Sequence, residues 1–371
     1  MFFRRISALL YLSRIFGSVP YKITSLDLQK SKWARAYSFS LILLYIILIL
    51  FAYTDFHMPP DMRVLVIILH VLKFLSLIGD ILMSIAMYGD FPVIFMEMNL
   101  FDNQINYRIP NLISIYSFIY PILLVTTPIL FLICTFLQSY EKNVIDLRQP
   151  SIFSYLIINT VINASSMIFV VLMESMLSRF RHLHRLVQSD RCFSLTVGST
   201  TLFGPGEEFS NDLGPRDIWK LYERLVATTE KINDHYSMQI LFWISHASCS
   251  IICRCYIIST SALGNGRLNI ITHVIGTLSQ LLLVISISSV CHFTMLEANR
   301  IPVSLFSPKI WMRYHARGTM GDNSDVCMYF GLRKLKVKAG FGLVTLNLPA
   351  IILFISLTST YLQFVLNENI E

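Results

Sequence analysis

The residues of this chain that are spaced to do chemistry are not a catalytic set. It contains no HExxH metal pair and no nucleotide-binding glycine loop, and no inverted repeat or matched pair of Gly-Pro-broken helices that would mark a transporter. No enzyme activity, resident metal or cofactor is indicated. What recurs is polar side chains at helical intervals inside apolar runs. In residues 341–366, which carry no charged side chain, Ser356, Thr360 and Gln363 are followed by Asn367 at steps of four, three and four. At ~100° per residue these fall on one narrow stripe of a helix. Lipid satisfies none of their hydroxyl and amide groups, so the stripe either lines an aqueous path or bonds across to neighbouring helices. Tyr155, Asn159 and Asn163 form a second ladder at i, i+4, i+8. Lys73 and Asp80 share one side of another run, so Asp80 either neutralises Lys73 or pairs with a base elsewhere. Arg254, inside a further run, needs a partner, and His70, His273 and Gln280 lie at similar depth. Apolar walls with a few such groups suit a small-molecule cleft, and they equally suit hydrogen bonding between packed helices.

The elements that position these residues follow from composition. With 54% hydrophobic and only 14% charged residues over 371 positions, the chain is too apolar for a soluble domain of its size. It reads as an all-α polytopic membrane protein with seven transmembrane helices, at 36–53, 64–88, 112–137, 152–173, 240–263, 270–293 and 341–366. Arg14 breaks the apolar stretch of the basic N-terminus, so a cleaved leader is not expected. The basic residues gather in the leader, in 174–239 and in 294–340, whereas only Arg63, Lys142, Arg148 and Arg267 fall on the opposite side. By the positive-inside rule the N-terminus is cytosolic and the C-terminus extracellular. The formal charge of +7 is thereby a matter of topology and calls for no nucleic acid partner; lipid is the partner of the spans.

This gives a cytosolic segment 1–35, helices one to four within 36–173, and cytosolic helical extensions with a loop in 174–239. Helices five and six follow within 240–293, then a cytosolic segment 294–340 and the last helix with its tail in 341–371. Ile218, Leu221, Tyr222, Leu225 and Ile232 make an apolar face that continues helix five into the cytosol, and residues 176–187 do the same for helix four. None of the seven cysteines falls in an outer loop, so no structural disulfide is expected.

With topology in hand, several stretches resemble the insect gustatory receptors: LLYLSRIFGSVPYKI at 9–23, LYERLVATTEKINDHYSMQILFWI at 221–244, CHFTMLEANR at 291–300, and the approach 342–360 to the pair Thr360-Tyr361. That family places a Thr-Tyr pair near the end of its last span, then five apolar residues and Gln-Phe. Here Asn367-Glu368 stands at that distance, and a Gln-Phe occurs early, as Gln363-Phe364. The resemblance implies a ligand-gated cation channel of four subunits in the plasma membrane, homomeric or built with related receptors. Each seventh helix would line the pore, a half-helix at 326–338 would anchor the subunits, and helices two to six would hold a small-molecule tastant in a cleft opening outward. It places the gate at Phe364 with a ring of Gln363, or at Leu366 and Asn367 about one turn on. Glu368 and Glu371 would add negative charge at the mouth. A metabotropic seven-span receptor, and a subunit that conducts only with a partner, remain the alternatives.

Overall fold

A computed structural model describes residues 2–24, 28–54, 60–105, 107, 128–130, 132–133, 150–188, 215–261, 267–305, 307, 333–340, 342–349, 352–353, 356, 359–360 and 363. Within helices the side chains of 2–5, 48–49, 51–54, 60–70, 150–156, 215–216, 260–261 and 267–269 also lie outside that description. The chain is an all-α polytopic membrane protein, and among the described residues the only strands belong to two very short hairpins.

In chain order, α1 (Phe2–Ile15) leads into the hairpin β1 (Tyr21–Ile23) and β2 (Leu28–Lys30), then α2 (Lys32–Thr54), α3 (Pro60–Ala86) and α4 (Asp90–Gln104). Three long helices follow, α5 (Pro150–Gln188), α6 (Pro215–Ser261) and α7 (Arg267–Leu305). α3, α5 and α6 each begin on proline, which sits well at the first helical position because the N–H it lacks has no partner there. α5 and α7 have 39 residues each and α6 has 47. At 1.5 Å per residue these run to roughly 60–70 Å, about twice the hydrocarbon thickness, so each must extend beyond a bilayer. The expected cytosolic extensions of helices four and five are therefore continuous with the spans. Ile218, Leu221, Tyr222, Leu225 and Ile232 are all buried. α5, α6 and α7 are each long and apolar enough to cross a membrane, and the pair α3 and α4, bent by 67°, passes the same test together.

α6 lies at the centre, packed against α3 on one side and α7 on the other, with α5 closing the bundle over α6 and α7. Phe169 of α5 meets Tyr236 and Trp243 of α6 at ring separations of 5.3 and 6.4 Å, a close-packed aromatic centre. α3 and α6 approach tightly where Gly79 faces the ring of Phe242. A Cβ on Gly79 would stand 2.8 Å from that ring, and Ser76 Oγ donates to the Phe242 carbonyl at 3.1 Å.

Three features depart from the sequence reading. Residues 90–104, outside the seven expected spans, form α4, whose Phe91, Ile94, Phe95, Met98 and Phe101 pack inward. The half-helix expected at 326–338 does not extend through its last part: 333–337 is extended and runs into β3 (Lys338–Ala339). The reason is local. Asn299 of α7 brackets Leu335, accepting from its N–H at 2.9 Å and donating to its carbonyl at 3.2 Å. Asn233 of α6 accepts the Lys338 N–H at 2.9 Å, and the Gly340 N–H donates to the Ser237 carbonyl. Main-chain groups captured in this way are unavailable to a helix. Finally, β4 (Val344–Thr345) pairs back onto β3, and the terminal helix is helical from 348 rather than from 341. Of the expected third span, 128–130 and 132–133 are helical, and the remainder lies outside the described residues.

Candidate functional site

The polar side chains buried between α3, α6 and α7 fall into two layers. The first lies toward the α6–α7 turn. His246, Ser250 and Arg254 stand one above another on α6 at i, i+4, i+8, and Arg254 Nε donates to Ser250 Oγ at 3.2 Å. The guanidinium spreads across the backbone of Gly276 on α7, where an added Cβ would overlap it. Lys73 of α3 comes close enough for its charge to act on Arg254, and both act on His246 and His273. Lys73 and Arg254 are 4% and 5% exposed and His246 is wholly buried. Among the described residues, both ring nitrogens of His246, Nδ1 of His273 and Oε1 of Gln280 have no hydrogen-bond partner. Buried groups of this kind are nearly always paired, and a ligand presenting donors and acceptors can pair with them.

Lys73, Arg254 and His273 lie close enough for their charges to interact, Gln280 is one turn along α7 from Gly276, and His246 and Ser250 join them on α6. Asn159 and Asn163 are buried one turn apart on α5, and the Asn163 carbonyl accepts from Ser166 Oγ at 3.0 Å. His70 and Tyr155 lie on α3 and α5, with side chains outside the described residues. Asp80 does not neutralise Lys73. It sits two turns further along α3, ~10 Å away by helical rise, where its Oδ2 accepts from Ser165 Oγ of α5 at 2.6 Å.

On the terminal helix Ser356, Thr360 and Gln363 are helical and exposed on the surface of the single chain, alongside Ile352 and Leu353. Thr360 Oγ1 donates to the Ser356 carbonyl at 2.9 Å. Tyr361, Phe364, Leu366 and Asn367 lie outside the described residues.

A helical bundle of this kind, with buried polar layers and helices that outrun the bilayer, defines a polytopic membrane protein. Residues 6–309 match the family described as 7tm Chemosensory receptor, and the chain belongs to that family. Among solved structures it is similar to the insect olfactory receptor OR5 from Machilis hrabei, with a TM-score of 0.62 at 14% identity over 98% of this chain and 97% of that one. The same receptor in complex with eugenol gives a TM-score of 0.63 at 14% identity over 98% of both chains. No curated protein sequence matches the chain.

Proposed function

We propose that this chain is a gustatory receptor subunit: a ligand-gated, non-selective cation channel of the plasma membrane, opened by a small-molecule tastant of bitter or plant-derived type. It assembles as a homo- or heterotetramer with related receptors. The observation that carries the reading is the outward-facing stripe of Ser356, Thr360 and Gln363. Thr360 can satisfy its hydroxyl within its own helix, but the Gln363 amide has no such recourse, and leaving it in lipid is costly. Four stripes around a common axis give those groups water and give ions a path. Phe364 would supply the constriction and Asn367 would continue the polar lining outward. The layer around Arg254 is the ligand cleft, with His246, His273 and Gln280 offering the groups that a tastant would meet. That OR5 binds eugenol supports a small molecule as the ligand class. The likeness to an olfactory receptor also favours a second reading, in which the stimulus is a volatile odorant.

The test is patch-clamp recording from cells expressing the chain alone and with related receptors, against bitter compounds, sugars and volatile odorants. Agonist-evoked cation current is expected, with conductance or selectivity altered in Gln363→Leu and Asn367→Leu. Permeation unchanged in both variants rejects the stripe as the pore wall. Signalling without current favours the metabotropic alternative.

A further inference from the structure

The residues that lead into α2 form a basic surface that neither the ligand cleft nor the polar stripe uses. Between Tyr21 and Tyr37 the chain carries Lys22, Lys30, Lys32 and Arg35 against one acid, Asp27. In the hairpin Tyr21 pairs with Lys30, so these two side chains leave the same face, whereas Lys22 pairs with Gln29 and leaves the other. Tyr21 stacks on Tyr88 at a ring separation of 5.1 Å, and Lys30 Nζ lies 5.9 Å from the centre of the same Tyr88 ring. Arg35, in the first turn of α2, sets its guanidinium 3.9 Å from that centre. Two cations thus share one tyrosine ring, and Lys30 Nζ also lies against the bare backbone of Gly89. Lys32 is exposed one turn before Arg35. Among the described residues no acid pairs with Lys30, Lys32 or Arg35, and Arg35 Nε is buried with no hydrogen-bond partner. Asp90, next to Gly89, is turned to His235 Nδ1 at 4.0 Å instead.

This surface adjoins an apolar one. From Ala36 to Tyr53 α2 has no charged residue, and Tyr37, Phe39, Leu43, Leu44, Ile47 and Leu50 are exposed along it. Trp33, 87% exposed, precedes Tyr37 by one turn, so the pair marks the level at which interfacial aromatics meet lipid headgroups. Like charges held side by side repel, and an anion between them relieves the repulsion. A free phosphate or an acidic protein segment would answer the cations and leave the apolar face of α2 uncovered. A phospholipid answers both, the phosphate through the cations and the acyl chains through α2. The orientation expected from the basic residues would place this edge in the cytosolic leaflet, where acidic lipids are concentrated. We propose that Lys30, Lys32 and Arg35 bind the headgroup of an anionic phospholipid whose acyl chains run along α2 beside Trp33. The bound lipid ties the hairpin and the start of α2 to the bend between α3 and α4. This assignment is independent of what opens the channel.

The experiment compares the purified full-length receptor in nanodiscs of phosphatidylcholine alone and of phosphatidylcholine with phosphatidylserine, by thermal unfolding and by native mass spectrometry of the lipid retained. Phosphatidylserine is expected to raise the transition by several degrees, as a ligand of the native state does, and to be retained in preference to phosphatidylcholine. Lys30→Gln and Lys32→Gln should each weaken that retention about fivefold, and Arg35→Gln at least as much. Lys22→Gln removes the same charge from the opposite face of the hairpin and should leave retention as in the wild type. Should Arg35→Gln fail to fold, the contrast of Lys30→Gln and Lys32→Gln with Lys22→Gln decides. The proposal is overturned by equal transitions in the two kinds of nanodisc, by a loss in Lys22→Gln equal to that in Lys30→Gln, which marks diffuse attraction of charge, or by inorganic phosphate giving the same rise in phosphatidylcholine nanodiscs, which marks a site for the free anion.

Discussion

At position 276 the chain lacks a Cβ, and the guanidinium of Arg254 fills the space where one would be. Gly276→Ala is therefore expected to push Arg254 off Ser250, costing about 1–3 kcal/mol by overpacking and shifting agonist sensitivity. Thermal unfolding and a dose–response curve on the same variant check both effects. A second buried cation, Arg179 of α5, is held differently. Its Nε and Nη2 reach both carboxylate oxygens of Asp102 on α4 at 2.8 and 2.6 Å, while Arg179 itself is fully buried. Asp102→Ala strands that charge and should cost about 3–5 kcal/mol, more than Arg179→Met, which removes the charge along with its partner's reward. A double-mutant cycle read by unfolding tests this order. Residues of the first polar layer were partly legible in sequence, since Arg254 in an apolar run announces a buried charge. The His246–Ser250–Arg254 ladder was equally available from spacing alone. The Asp80 layer was not, because Ser165 and Gln239, which hydrogen-bond to Asp80, come from separate elements and only the fold makes them neighbours.

Among the elements, α3 and α4 meet at Gly89, where the chain turns by 67°. Gly89 has φ +142°, a conformation that side chains rarely adopt, and its N–H donates to the Tyr21 hydroxyl at 3.1 Å. Burial pushes the Tyr21 phenol up to about 12, opposed only in part by that hydrogen bond, so it stays neutral at physiological pH. Gly89→Ala is expected to destabilise by roughly 1–3 kcal/mol through backbone strain, seen as a lower unfolding temperature and reduced surface expression. α4 was readable in retrospect: Phe91, Ile94, Phe95, Met98 and Phe101 recur at helical intervals, although they lie outside the seven expected spans. The long helices were legible because their apolar faces persist past the spans. The extended stretch 333–339 was not, because nothing within it dictates its conformation; Asn233 and Asn299 do so from outside.

For the molecule as a whole, the distribution of basic residues predicts an orientation that can be checked directly. An epitope before α1 should stain only after permeabilisation, and one appended after Glu371 should stain on intact cells. Labelling of the N-terminal tag on unpermeabilised cells would reverse the topology and with it the placing of the ligand cleft. The same orientation would put 333–340 and 342–346 on the cytosolic side, next to α6 and α7 before the terminal helix begins. This stretch is attached through main-chain hydrogen bonds to Asn233 and Asn299, through the Arg333–Glu230 ion pair at 2.7 Å and through its buried Leu335 and Val337, so exchanging the exposed side chains of Lys334, Lys336 or Lys338 leaves these contacts intact. Among the anchors of the stretch that leads to the terminal helix are two asparagine amides, one on each of the helices that carry the Arg254 layer. Any sliding of α6 against α7 must then pull unequally on those two amides, which makes Asn233 and Asn299 the points where a stimulus far above could be felt as tension below.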